Sequence, residues 1–189
     1  MPFQHASLLI ADSRVKHDLG QSGYPLRRQQ CFETVDILKS IYPNITHLRD
    51  VTMEMLDSQK SKLDAVHYAR AHHVIAENHR VMKMAEGFRT NDLSLAGRMM
   101  NQSHASSRDD YEVSCEELDF LVETAQKCSG VYGARMSGGG FGGCIVALVE
   151  NDHAENVKAA LTDAYKKKYN QTLGIFFTGA AEGAEVIRS

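Results

Sequence analysis

Gly133-Ala-Arg-Met-Ser-Gly-Gly-Gly-Phe-Gly-Gly-Cys-Ile-Val-Ala-Leu-Val149 is the stretch from which the fold is read. Five of the six residues from Gly138 to Gly143 are glycine, and a branched apolar run follows at once. Glycine reaches positive φ without steric cost and lets backbone N–H groups come close to a ligand. Successive N–H groups can converge into an anion-binding concavity. The run from Cys144 to Val149 has strand length and β-branched character, so the spacing predicts a loop between strands at 133–137 and 143–149. A Walker loop carries Lys-Ser/Thr after its glycines, and a Rossmann turn leads directly into a helix; this stretch does neither. A glycine-rich connection between two buried strands accounts for the same residues, and loop chemistry alone does not choose between the two readings.

Downstream, Asp152 and Glu155 cap a predicted helix with Val157, Leu161, Ala164 and Tyr165 on one side, and 173–178 reads as a last strand. Upstream, Ser114 to Glu117 has capping-box spacing and opens a helix whose face is Leu118, Leu121, Val122 and Ala125, with Gly130 as its terminator. A long helix over 64–89 carries Val74, Val81 and Phe88 seven apart, with Met84 and Ala85 in the stripe, and a second helix follows Asn91-Asp92 to about Ser103. Nearer the start come a short helix around 52–58, a helix opened by Pro25 with Cys31, Val35, Leu38 and Tyr42 at helical spacing, a polar loop over 13–23, and a strand over 6–12. The order is strand, several helices, strand, strand, helix, strand. With the first helical block as an enlarged crossover, this is an α+β, ferredoxin-like β-α-β-β-α-β sandwich. The reading is one domain over 1–189, mainly helical at 25–130, with the glycine loop, strands and a helix at 131–189.

A net charge of -3 leaves no nucleic-acid footprint. No apolar run reaches membrane-spanning length, and no basic-then-apolar leader opens the chain, so the expected compartment is the cytosol. Cys31, Cys115, Cys128 and Cys144 are widely spread and read as reduced core residues. His72, His73, Glu77 and His79 lack His-Glu-x-x-His spacing, so solvated or capping roles outweigh a metal site.

Three polar segments stand apart from any periodic face. Tyr24 precedes a proline and is expected to be extended, presenting its hydroxyl to a polyol or packing at a helix start. Arg27 and Arg28 oppose the dipole in a first helical turn, which favours salt bridges within the fold over anion binding. Residues 103–114 are read as a connection between two helices; a Ser/His/Asp set there has no nucleophile elbow, and a buried polar network is the better reading. Lys166, Lys167 and Lys168 form the solvated end of a helix.

Taken in order, Ala11-Asp-Ser-Arg-Val-Lys-His17, Ser22-x-Tyr24-x-x-Arg27-Arg28-x-Gln30-Cys31, Ala71-His-His-Val-Ile-x-Glu77-Asn78, the segment from Ser103 to Ser114, and Arg135-Met-Ser-Gly-Gly-Gly-Phe-Gly-Gly-Cys144 resemble the carboxy-terminal half of galactokinases, a branch of the GHMP kinase family. The glycine loop alone indicates only the wider family. The resemblance implies the carboxy-terminal part of an enzyme that moves the γ-phosphoryl of ATP, with Mg²⁺, to galactose. It implies that Tyr24 contacts the sugar. It also implies that Ser137, Gly138, Gly139, Gly140, Phe141, Gly142 and Gly143 lie close to the nucleotide phosphates, and that Ser103, His104, Ser106, Arg108, Asp109 and Asp110 line or support the cleft wall. Ser107 departs from the family's larger apolar residue, which predicts looser packing there.

The family's Gly-Glu-His-Thr-Asp segment, Pro-x-Gly-x-Gly-Leu-Ser-Ser-Ser phosphate loop, magnesium-binding acid and catalytic aspartate do not occur in these 189 residues. By the resemblance the chain therefore holds no catalytic base and no metal ligand, needs an amino-terminal domain as partner, and is inactive alone, with an exposed interdomain face open to self-association. The alternatives are a non-catalytic sugar- or nucleotide-binding regulatory module and another GHMP small-molecule kinase. Neither nucleic acid nor membrane is an expected partner.

Overall fold

The computed structural model describes residues 5–16 and 23–179. His17 and Ser22 of the quoted motifs lie outside them. Four strands, β1 (Ala6–Asp12), β2 (Val131–Ser137), β3 (Cys144–Glu150) and β4 (Gly174–Thr178), form one sheet in the order β2-β3-β1-β4. Every neighbouring pair is antiparallel, with Leu9 opposite Ala147 and Phe177 and Ala134 opposite Ala147. Thus β1 and β2 point the same way on either side of β3, the split arrangement expected for this fold. Five helices, α1 (Tyr24–Lys39), α2 (Met53–Ser58), α3 (Ala65–Arg89), α4 (Leu93–Asp109) and α5 (Glu116–Gln126), lie between β1 and β2, and α6 (Ala154–Tyr169) connects β3 to β4.

The alternation of each strand assigns its two faces. Leu9, Ala11, Met136, Ile145, Ala147 and Val149 are buried against Leu118, Leu121 and Val122 of α5 and Val157, Leu161 and Tyr165 of α6. The opposite face, with Leu8, Val146 and Leu148, meets Ala96 and Met100 of α4 and Met84 and Phe88 of α3. Here α4 comes backbone to backbone with β2: a Cβ on Gly97 would stand 2.1 Å from the Tyr132 carbonyl oxygen. A third cluster joins α1, the turn at Leu48, α2 and α3 through Val35, Leu38, Leu48, Leu56, Ala71 and Ile75.

Side-chain caps start three helices: Thr52 accepts from the Met55 N–H, Asp64 from His67 and Asp92 from Leu95. Elsewhere the local signals point wrongly. Ser114 does not cap α5; Cys115 occupies that position without a side-chain bond, and the Ser114 hydroxyl donates to Asp119 instead. Neither Asp152 nor Glu155 caps α6, because a 3₁₀ turn at Asn151–His153 leads into it. Val81 of the predicted stripe is 56% exposed, since α3 packs its first half on α1 and its second on α4 and so buries Arg70, Ala71, Ile75, Arg80 and Gly87 rather than one heptad face. Strand bounds shift by one or two residues. The four cysteines carry free thiols at intermediate depth rather than in the core. Lys168 is not merely solvated: its ammonium lies 2.9 Å from Glu116 and over the Phe120 ring.

Candidate functional site

The connection between β2 and β3 is the glycine loop. Gly138, Gly140, Phe141, Gly142 and Gly143 all have positive φ, from 62° to 148°. Four of those five positions are glycine, for which such φ values are unstrained. Its far end is tied to the body of the protein. The Ser13 N–H and hydroxyl both donate to the Gly143 carbonyl, at 2.9 and 2.7 Å, and the Gly143 N–H donates to Val15 at 3.2 Å. Buried Tyr165 of α6 donates its hydroxyl to the Ser13 carbonyl at 2.8 Å. On the inner side the Phe141 N–H donates to the Val113 carbonyl, and a Cβ on Gly140 would meet that oxygen at 2.1 Å. By contrast, ideal Cβ atoms on Gly138, Gly139 and Gly143 would meet no atom of the described residues within 4 Å. Among the described residues, one side of the loop is pinned and the other has no neighbour.

The turn that pins it, residues 110–113, is itself clamped by two arginines. Arg27 of α1 donates from Nε to the Tyr111 carbonyl at 2.7 Å and pairs with Glu112 at 3.2 Å. Arg70 of α3, 3% exposed, donates to the Asp110 carbonyl, to Gln30 Oε1 at 3.1 Å and to Glu112 Oε2 at 2.6 Å. A buried guanidinium is stable only with such partners. Arg27 is thus used within the fold, as its position implied, while Arg28 stacks its guanidinium 5.1 Å over Phe32.

Tyr24 is the first residue of α1, not an extended residue ahead of it: Pro25 sits in the first turn, where its missing N–H costs nothing, and the Arg27 N–H closes that turn on Gly23. Tyr24 is 49% exposed. Gly23 abuts the loop, since a Cβ there would come 3.3 Å from Phe141 Cζ. The residue before the predicted sugar contact therefore packs against the predicted phosphate-proximal loop, although more than a hundred residues separate them in sequence.

The polar segment over 103–114 is not a simple connection: α4 runs to Asp109, and Ser103, His104, Ser106 and Ser107 are buried on it. The Ser107 hydroxyl donates to the Ser103 carbonyl at 2.8 Å, so the small residue is satisfied within its own helix. Ser106 donates to Asp110 at 2.7 Å, which makes its oxygen the acceptor for His73 Nδ1 at 3.0 Å. His72 Nδ1 stands 3.1 Å from the same carboxylate. Burial, with Arg80 and Arg135 near and only partly offset by Glu77 and Asp110, lowers the His73 pKa to about 4, so the ring is neutral and stacks on Tyr111 with centroids 4.5 Å apart.

Glu77 accepts from Ser103 and pairs with Arg80 at 2.7 Å and with Arg135, at the entrance to the loop, at 3.3 Å. Burial opposes its ionisation, but these donors outweigh it and hold the carboxyl below its ordinary range. His104 Nδ1 accepts from the Met136 N–H, which leaves the ring proton on Nε2; Asp119 Oδ1 is 3.2 Å from that atom, an ion-pair distance without good hydrogen-bond alignment. Arg108 and Asp109 pair with each other at 2.8 Å on the surface and stand outside the cluster. Among the described residues, no group of three or more His, Cys, Asp or Glu is placed to hold a metal ion.

Residues 84–167, from the end of α3 through α6, match the family model described as GHMP kinases C terminal. The chain carries a GHMP kinase C-terminal domain. It is 41% identical over 177 residues to a galactokinase of Roseiflexus, a match covering 94% of this chain and 45% of that protein. With the galactokinase of Bos taurus it shares 42% identity over 181 residues, covering 96% and 44%. The crystal structure of Lactococcus lactis galactokinase complexed with galactose superposes with a TM-score of 0.83 at 33% identity, over 92% of this chain and 45% of that one. A mevalonate kinase from L. major, at TM-score 0.52 and 22% identity, shares the fold alone. The chain thus spans less than half the length of these curated relatives.

Several residues that shape this GHMP domain's loop escaped sequence reasoning. Ser13, Val15, Val113 and Tyr165 act through long-range contacts and leave no local pattern. Arg70 and Arg80 did leave one: spacings of three and four put them on one helix face with His73 and Glu77, which were expected to be solvated or capping and instead belong to a polar stripe turned inward.

Proposed function

We propose that this chain is the carboxy-terminal half-site of an ATP-dependent galactose kinase, which transfers the γ-phosphoryl group to the sugar's anomeric hydroxyl and yields galactose 1-phosphate. The observation that carries the reading is the approach of Gly23, the residue before Tyr24, to Phe141 of the glycine loop. In this proposal Tyr24 presents its phenol to a sugar hydroxyl. Gly138 and Gly139 let backbone approach the nucleotide phosphates, and Val113, Ser13 and Tyr165 keep the loop from collapsing into the space. The residues present suit an anionic group at the loop, where open backbone replaces side chains. Mg²⁺ would neutralise phosphate charge. Its ligands and the base are assigned to an amino-terminal domain, so this chain alone is inactive. The galactose named in the Lactococcus lactis complex supports the choice of sugar.

The test is a chimera of this chain with the amino-terminal half of the Lactococcus lactis enzyme, alongside the chain by itself. Galactose-dependent ADP release is expected from the chimera only, and Tyr24→Phe in the chimera is expected to raise the galactose KM. ADP release from the isolated chain would overturn the half-site assignment. A folded chimera that uses mevalonate but not galactose would overturn the substrate.

A further inference from the structure

A cavity of about 590 Å³ opens along α1, between the turn at Leu48 and α3. Its size suits a small organic ligand. Phe32, Leu48 and Val74 line its apolar part, and Tyr24 stands at one end. The charged residues of its lining are Arg28 and Arg49, with no carboxylate among the described lining residues, in a chain whose net charge is -3. Their situation differs from that of the neighbouring arginines. Arg27 and Arg70 are consumed by Glu112 and backbone carbonyls, whereas among the described residues neither Arg28 nor Arg49 pairs with a carboxylate. Arg28 is held by the Phe32 ring, an arrangement that orients a guanidinium without using its N–H donors. Two guanidiniums without a carboxylate partner among the described residues, over an apolar floor, form a receptor for a dianion attached to a ring, because guanidinium matches phosphate geometry bidentately.

We infer that this cavity binds a small phosphate monoester with a ring-shaped body: the phosphate between Arg28 and Arg49, the ring over Phe32, Leu48 and Val74. The site shares Tyr24 with the proposed sugar contact but includes no glycine-loop residue, and its anion-binding arginines are not used by the kinase reading, so the inference stands whether or not that reading holds.

The experiment is isothermal titration of the 189-residue chain with phenyl phosphate, galactose 1-phosphate, inorganic phosphate and benzyl alcohol, with methyl and amide NMR shifts locating each ligand. Phenyl phosphate is expected to bind, to shift Leu48 and Val74 methyls, and to lose at least about tenfold in affinity in Arg28→Gln and in Arg49→Gln, the loss of one charge-assisted pair. Inorganic phosphate, without the ring, is expected to bind more weakly, and benzyl alcohol, without the charge, not to register. Galactose 1-phosphate binding as tightly as phenyl phosphate with the same shifts would identify a sugar phosphate as the occupant and sustain the site. Both arginines are exposed, so unchanged unfolding midpoints are expected in the variants. Affinity unchanged in the Arg28→Gln, Arg49→Gln double variant, shifts confined to Gly138 and Gly139, or no binding of any phosphate would each overturn the inference. Those outcomes leave the chimera's ADP release untouched, so the two readings fail separately.

Discussion

Under α5 and α6 the sheet buries Leu, Ile, Val, Ala and Met with a single tyrosine, whereas behind α4, where α3 adds a further layer, the buried positions include Arg70, Arg80, Ser103, His104, Ser106 and Ser107. The first layer is held by area removed from water, which is non-directional and insensitive to protonation. The second is held by hydrogen bonds and ion pairs whose geometry is specified atom by atom. It is the second layer that reaches the 110–113 turn, and through Val113 the glycine loop. The apolar side supplies most of the stability and, through Tyr165 and Ser13, one anchor of the loop, while the polar side places the 110–113 turn that holds the other.

Mutation and pH separate the two. Leu121→Ala, at a fully buried position of α5, is expected to cost about 3 kcal/mol in urea unfolding. That cost should be the same at pH 5 and pH 8, and a marked pH dependence would break the comparison. Gly97→Ala, which must push α4 off the Tyr132 carbonyl, is expected to cost about 2 to 3 kcal/mol. Amide exchange in β2 should rise with it while α6 is unaffected. If α6 loosens equally, the layers are not energetically distinct.

The third test concerns charge. His73, buried neutral with a pKa of about 4 against an ordinary 6.5, binds fewer protons folded than unfolded between those values. Stability therefore falls as pH drops from 6.5 towards 4, by about 2 kcal/mol. His73→Phe keeps the ring against Tyr111 and is expected to remove that part of the acid sensitivity, seen as unfolding midpoints of the two proteins converging at low pH.

The smallest effect is expected at His67, which bridges Glu33 at 3.0 Å and Asp64 at 2.9 Å and has the opposite sign. Its bond to Glu33, against some burial and with help from Asp64, raises its pKa. The stability it adds is present below pH 6.5 and is lost as pH rises through the raised value. His67→Gln should cost under about 1 kcal/mol at pH 5.5 and less at pH 8.5. A larger loss at high pH would contradict the assignment.

Much of the architecture was legible. β1, the hairpin and α6 follow from period-2 and period-3.6 burial, as Leu9 and Ala11 or Val157, Leu161 and Tyr165 illustrate. The end of α4 was not, because Ser103, His104, Ser106 and Ser107 look like a loop until Ser107 is seen bonding back to Ser103 and the others facing α3 and β2. Tyr24 was misjudged for a local reason: the residue before proline usually avoids the helical region, and the first turn of α1 overrides that through the Arg27 bonds to Gly23 and Tyr111.

By itself the sequence determined the order of elements, the split sheet they make and the position of a glycine loop between β2 and β3, since each rests on periodicity or on glycine's backbone freedom over a few neighbouring residues. Only the tertiary structure decided which side of that loop is free. That outcome depends on Ser13 reaching Gly143 and Tyr165 reaching Ser13, contacts across 130 and 152 residues. No local pattern encodes them, because the bond energy is realised only after the sheet has brought those segments together.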